Sequence, residues 1–268
     1  MSRQRLGQHF LHDRATLERI ARAACLSPDA TILEIGPGRG ALTEQLLKHA
    51  RRVVAIELDA SLVQFLRARF GGDPRLEIVE ADILETDLRS FGADAVAGNL
   101  PYYIATAIIE KTVRLAPPRA VFLVQKEVAL RLCAKPGQRD YGFLTVRTQA
   151  FAAPRLLFDV KPGAFRPPPQ VESAVVSLCP RSEPISVADP DAFVMFLSRC
   201  FRHKRKTLRN NLSEFYGAGA VNALPEAGLR AEALSVERLA EIFVELARPD
   251  SLPGRNTASG AGHDMIGP

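Results

Sequence analysis

Thr31-Ile-Leu-Glu-Ile-Gly-Pro-Gly-Arg-Gly-Ala41 is the stretch on which the fold turns. Thr31–Ile35 reads as a short buried strand, and the residues from Ala41 to Ala50 have the spacing of a helix. Between them stand Gly36, Gly38 and Gly40. Glycines lack a Cβ, so a ligand can approach the backbone N–H groups of such a loop closely. The spacing is G-x-G-x-G, which differs from the G-x-G-x-x-G of dinucleotide dehydrogenases because residue 41 is Ala. Taken alone, the loop is almost as well explained as a tight strand-to-helix turn.

Outward from this point the pattern repeats. A helix is expected over 14–26, where Leu17, Ile20, Ala21 and Ala24 share a face. Strands are expected at Arg52–Glu57, Leu76–Glu80, Ala93–Ala97 and Ala120–Gln125, with helices at Ala60–Phe70, Ile104–Leu115 and from Lys126. Two more strands are expected near Arg155–Val160 and Val171–Leu178. The second alternates Val171, Ser173, Val175 and Ser177, as a strand near a sheet edge would. Apolar strands alternating with amphipathic helices imply an α/β fold with a doubly wound, mostly parallel sheet. After Pro180 only helical periodicity remains, through Phe193, Phe196, Leu197, Leu239, Ile242, Phe243 and Leu246. The expected organisation is an α/β domain over 1–180, a small all-helical domain over 181–250, and a disordered tail over 251–268, rich in Gly, Pro and Ser.

Composition narrows the function class. The 268 residues carry 35 Lys and Arg against 30 Asp and Glu, a formal charge of +5, which suits an anionic partner without requiring one. The four cysteines, Cys25, Cys133, Cys179 and Cys200, form no C-x-x-C pair, and the histidines show no ligand spacing, so no metal is expected. No apolar run reaches the ~18–20 residues of a membrane span, and no signal core is apparent. A cytoplasmic, reducing location is expected. The charge is local: residues 181–250 hold equal numbers of acids and bases, yet six of the ten bases lie between Arg199 and Arg209. On a helix, Arg202, Arg205, Lys206 and Arg209 would share one face, either as a solvated surface or as a phosphate-contacting stripe.

Acids at successive strand ends raise the significance of the glycine loop. Glu57 ends the second strand, where a carboxylate can accept from a ribose diol. Asp82 follows the third, placed to accept from an adenine amino group, with Ile83 against the ring. Together they outline an adenosine pocket at the carboxyl edge of the sheet, which either S-adenosylmethionine or NAD could fill. At the same edge lies Gly98-Asn-Leu-Pro-Tyr-Tyr103. Pro101 stiffens the turn. The Asn99 amide oxygen and the carbonyl of Leu100 or Pro101 offer two acceptors beside the flat face of Tyr102. That arrangement can hold the exocyclic amino group of a stacked base and aim its lone pair at an electrophile.

Asn99-Leu-Pro-Tyr102 resembles the fourth motif of the N6-adenine methyltransferases acting on ribosomal RNA. Further segments resemble the branch that dimethylates bacterial 16S rRNA. Arg5-Leu-Gly-Gln-His-Phe-Leu11 is similar to its N-terminal motif, which folds over the methionine end of the cofactor. His9 and Leu6 stand where Asn and Phe are frequent. Gln125-Lys-Glu-Val128 is similar to its fifth strand, Phe165-Arg-Pro-Pro-Pro-Gln-Val-Glu-Ser-Ala-Val-Val176 to its proline-rich loop and seventh strand, and Arg205-Lys-Thr-Leu-Arg-Asn-Asn-Leu212 to its C-terminal basic helix. Enzymes of the 23S rRNA branch usually carry Ile where Leu100 stands, and lack the triple proline and the basic-helix sequence.

The resemblance implies a seven-stranded Rossmann-like class I methyltransferase sheet with a small C-terminal helical domain. It implies methyl transfer from S-adenosylmethionine to N6 of two adjacent adenosines in the 3′-terminal hairpin loop of 16S rRNA, within an immature 30S subunit, by a monomer. By the same resemblance Asn99, Leu100, Pro101 and Tyr102 are catalytic, and Phe165 stacks on the flipped base opposite Tyr102. Gln8, His9, Leu11, Gly36, Gly38, Glu57, Leu58, Asp82, Ile83 and Asn99 contact the cofactor, and Arg202, Arg205, Lys206 and Arg209 contact RNA. Tyr103, where the family commonly has Asn, is expected near the target pocket. Two other classes compete: a small-subunit assembly factor that acts mainly by binding, and a dinucleotide-dependent oxidoreductase, which the glycine spacing disfavours.

Overall fold

The computed structural model describes residues 9–247, which fall into two compact units divided between Ser186 and Val187. The expected tail over 251–268 lies outside the described residues. The first unit runs β1 (Phe10–Leu11), α1 (Arg14–Ala24), β2 (Thr31–Ile35), α2 (Ala41–His49), β3 (Arg52–Glu57), α3 (Ala60–Phe70), β4 (Leu76–Glu80), β5 (Ala95–Asn99), α4 (Ala105–Arg114), β6 (Arg119–Gln125), α5 (Lys126–Cys133), α6 (Phe143–Gln149), β7 (Ala152–Val160), β8 (Phe165–Arg166) and β9 (Ser173–Pro180).

Seven strands form one sheet in the order β4-β3-β2-β5-β6-β9-β7. The first five run parallel, and β9 is antiparallel to both β6 and β7. Period-2 alternation divides the core between the two faces. Leu33, Ile35, Val54, Ile56, Phe122 and Val124 point to one face and bury Ile108, Ile109 and Val113 of α4 and Leu132 of α5. Ile32, Val53, Val121 and Leu123 point to the other and bury Leu17, Ile20 and Ala24 of α1 and Leu42, Leu46 and Leu47 of α2. Strands covered on both sides read as continuous apolar runs, which is why β2, β3 and β6 are so clear in the sequence.

The strand containing Ser173 and Ser177 lies near a sheet edge, as its alternation suggests, but one strand in from it. β9 lies between β6 and β7, with both serines buried, and β7 is the edge strand. A serine is small enough to sit under packed helices, and the Ser173 hydroxyl has a half-buried partner described below.

The second unit contains α7 (Pro190–Cys200), α8 (Leu208–Tyr216), α9 (Ala218–Asn222) and α10 (Val236–Leu246). Phe193, Phe196 and Phe243 pack with ring centroids 5.4–6.3 Å apart, and Tyr216 meets Phe196 edge-on. The single basic helix face expected across Arg202–Arg209 is absent. Residues 201–207 form turns between α7 and α8, and of the four cations only Arg209 is helical. A side chain from the next helix breaks the run: buried Asn211 donates from Nδ2 to the carbonyls of Cys200, at 2.9 Å, and His203, at 3.3 Å. Those carbonyls would otherwise accept within a continued helix.

Candidate active site

Strand order reverses between β2 and β5, and the loops leaving these two strands flank the crevice where open α/β sheets bind ligands. Gly98 allows the close approach there, since a Cβ at that position would lie 2.7 Å from the Ile35 carbonyl oxygen. Gly36 adopts φ +65°, and a Cβ built on it would meet nothing within 4 Å. The loop is therefore open at Gly36, whereas a Cβ on Gly38 would lie 3.3 Å from the Phe10 ring and one on Gly40 would collide with the Phe70 ring.

Glu57, at the end of β3, is buried, and its carboxylate accepts from the N–H groups of Gly38 (3.1 Å), Leu58 (2.9 Å) and Asp59 (3.0 Å). These bonds fix the carboxylate to the glycine loop, and lone-pair capacity remains for a diol. The Glu57 carbonyl accepts from Ala81 N–H at 3.0 Å, which brings Asp82 to the same edge. Asp82 uses Oδ1 to cap Leu84 N–H at 2.8 Å. Ile83 is buried, and Leu58 is 59% exposed at the rim beside Glu57. A buried acid on the loop, a second acid one strand further and the open backbone at Gly36 fit the adenosine half of S-adenosylmethionine.

One acid was quoted in the sequence without a role. Glu34 is 1% exposed in β2, and Thr43 donates to it at 2.6 Å. Burial pushes its carboxyl up to about 8, against the Thr43 bond, and the neighbouring Glu57 charge adds to the rise. A lone carboxylate within an apolar strand was the available signal.

At the end of β5, Asn99 donates from Nδ2 to the backbone carbonyl of His9 at 3.2 Å. Rotating the amide would set two oxygens face to face, so this bond fixes its orientation and leaves Oδ1 as the free acceptor. The Pro101 carbonyl accepts from Ile104 N–H at 3.1 Å, whereas among the described residues no backbone N–H donates to the Leu100 carbonyl. Tyr102 places its hydroxyl 2.7 Å from Ser173 Oγ, which sets the plane of the ring. Burial raises the phenol above its ordinary pKa, partly offset by the Ser173 bond.

His9 links the motif to the proline-rich loop. Its Nδ1 donates to the Pro167 carbonyl at 2.7 Å, and its ring centroid lies 5.9 Å from that of Tyr102. β1 and β8 pair with Phe10 opposite Arg166 and Leu11 opposite Phe165, so the N-terminal segment and the proline-rich loop form one flap over the motif. That pairing corrects two expectations. Phe165 is 2% exposed and Leu11 4%, both within the hydrophobic core, so in this arrangement the Phe165 ring has no face open to a base and Leu11 offers a ligand only its backbone. Gln8 lies outside the described residues.

Arg205, Lys206 and Arg209, on the second unit, are exposed, while Arg202 pairs with Glu214 at 2.9 Å and lies over Phe215. Among the described residues no group of three His, Cys, Asp or Glu side chains could hold a metal, and no helix is long and apolar enough to cross a membrane.

The chain is 41% identical over 270 residues to the ribosomal RNA small subunit methyltransferase A of Synechococcus elongatus, covering 92% of this chain and 96% of that one. It is 42% identical over 253 residues to the protein of the same name from Acidobacterium capsulatum, with 89% of each chain covered. Among solved structures, a dimethyladenosine transferase from Plasmodium falciparum superposes with a TM-score of 0.77 at 27% identity, covering 88% of this chain and 97% of that one. The 23S rRNA methyltransferase ErmE superposes at 0.70 and 30% identity, covering 89% and 100%. Residues 1–248 match the family described as ribosomal RNA adenine dimethylase, and with these relatives over most of its length the chain belongs to that family.

Proposed function

We propose that this protein transfers methyl groups from S-adenosylmethionine to N6 of two adjacent adenosines in the 3′-terminal hairpin loop of 16S rRNA. The product is N6,N6-dimethyladenosine, made in the cytoplasm by a monomer during 30S biogenesis. The observation that carries this reading is the Asn99 amide at the end of β5, held through Nδ2 by the His9 carbonyl and followed in the chain by Leu100 and the half-buried Tyr102.

An adenine amino group is a weak nucleophile because its lone pair is delocalised into the ring. Two acceptors, Asn99 Oδ1 and Leu100 O, take its two N–H groups and favour a more pyramidal nitrogen. Tyr102 supplies a stacking face, worth ~1–3 kcal/mol per base. Glu57, Asp82, Gly36, Gly38, Leu58 and Ile83 hold the adenosine of S-adenosylmethionine, with Gln8, His9 and the Leu11 backbone toward its other end. When bound, the cofactor supplies an already activated methyl group, so the residues need only position and polarise the amine. The proton leaves after positive charge has developed on nitrogen, and no strong base is required. The once-methylated nitrogen retains one N–H for the second round. A hairpin loop is a suitable target because unpaired bases are less costly to extrude. Arg202, Arg205, Lys206 and Arg209 contact RNA phosphates.

The test is incubation with labelled cofactor followed by primer extension on 16S and 23S rRNA, for the wild type and Asn99→Ala. Stops at two adjacent adenosines of 16S rRNA are expected from the wild type. Asn99→Ala should lose more than ~100-fold in single-turnover rate, as when a transition-state hydrogen bond is removed, with cofactor binding by calorimetry much less affected. Label in 23S rRNA alone, or a near-normal rate for Asn99→Ala, would contradict the proposal.

A further inference from the structure

The flap made by β1 and β8 carries exposed cations that play no part in holding it together. Arg166 in β8 is exposed and lies opposite Phe10. Lys161 stands at the start of the same connection, its carbonyl accepting from Ala164 N–H at 3.0 Å. The Ala164 carbonyl in turn accepts from His12 N–H at 2.9 Å, and exposed Arg14 opens α1 two residues later. A cation in the first turn of a helix opposes the helix dipole, so packing gives no reason for it there.

The acids of this neighbourhood are already engaged. Asp13 caps α1 by accepting from Thr16 N–H at 2.8 Å. Asp159 and Glu172 both pair with Lys126, at 2.9 and 2.8 Å. The rim of the flap, with Arg14, Lys126, Lys161 and Arg166 against Asp13, Asp159 and Glu172, thus keeps a small net positive charge, and His9 ties the flap to Asn99 and Tyr102. At the same sheet edge Tyr103, next to Tyr102 in the chain, is 72% exposed and meets no other ring among the described residues.

Resting on the function proposed above, we infer that this rim is a docking surface for the single-stranded RNA flanking the target adenosine. Arg14, Lys161 and Arg166 contact its phosphates, and Tyr103 stacks on a base next to the one in the pocket. Exposed cations combined with an exposed aromatic step match the chemistry of an unpaired strand better than that of a duplex, whose bases offer no stacking face.

The two contributions separate in one experiment with the full chain. Binding of a fluorescently labelled RNA hairpin with two adjacent loop adenosines is measured by anisotropy from 50 to 300 mM KCl, and S-adenosylhomocysteine binding is measured alongside. The triple variant Arg14→Gln, Lys161→Gln, Arg166→Gln should flatten the slope of log affinity against log salt by about 2, at ~0.7 per phosphate contact on a single strand. Tyr103→Ala should weaken binding about tenfold without altering the slope, and Tyr103→Phe should restore it. S-adenosylhomocysteine binding should be unchanged in all three. An unaltered slope in the triple variant, or wild-type affinity in Tyr103→Ala, overturns the inference alone. A wild type that binds no RNA overturns the proposed function and this surface with it.

Discussion

A carboxylic acid inside a parallel sheet is expensive to ionise, and Glu34 is placed there with one hydroxyl partner and a second acid nearby. Its carboxyl is raised from the ordinary 4.5 to about 8, so between those values the folded chain holds a proton that the unfolded chain has released. Stability from this group is full below about 4.5 and falls as pH rises toward 8. Glutamine keeps the acceptor for Thr43 and cannot titrate. Glu34→Gln should therefore be more stable than the wild type at pH 8 by on the order of 2 kcal/mol, and nearly equal to it at pH 4.5. Melting curves across that range would test this, and parallel pH profiles for the two proteins would show that the acid is not the cause. Individual side chains were legible in the sequence where chemistry singled them out, as with Glu57 and Asn99. The Phe165 environment was not, because its burial depends on Leu11, which a strand pairing brings from the far end of the domain.

At the scale of elements, the strands were readable because double-sided burial demands unbroken apolar runs, and β2, β3 and β4 begin and end where the residues indicate. The fourth parallel strand is displaced two residues from the expected Ala93–Ala97, to Ala95–Asn99, so Asn99 belongs to β5 rather than to the loop beyond it. The segment between α7 and α8 was misread for a physical reason: charge spacing cannot reveal a helix break imposed by a buried amide three positions into the next helix. Asn211→Ala leaves the carbonyls of Cys200 and His203 without that donor and should cost about 2 kcal/mol. Hydrogen exchange at residues 201–207 should accelerate while β2 and β3 are unaffected. Exchange that stays slow throughout the turn would mean that other contacts hold it.

For the whole molecule, the excess of five positive charges says little until its location is known. The second unit presents Arg205 and Lys206 from a turn held by Asn211 and Arg209 from the first turn of α8, with Arg202 engaged by Glu214. Replacing those three with Gln should lower affinity for the small-subunit rRNA and reduce its salt dependence, with S-adenosylhomocysteine binding intact. If filter-binding titrations at several salt concentrations show an unchanged slope, the turn is ordinary solvated surface.

The flap has a consequence for how the catalytic geometry comes into being. The amide of Asn99 is oriented by a residue 90 positions earlier, and that residue is clasped by Pro167, 158 positions away from it. Almost the entire first unit must be in place before the two strands of the flap can meet. Loop-closure entropy grows only logarithmically, about 0.6 kcal/mol for each doubling of length, so so long a span is not prohibitive. The reacting group is thus oriented by the most distant closure in its unit, and during synthesis a chain that ends before Pro167 has the Asn-Leu-Pro-Tyr motif but no clasped His9 to hold its amide.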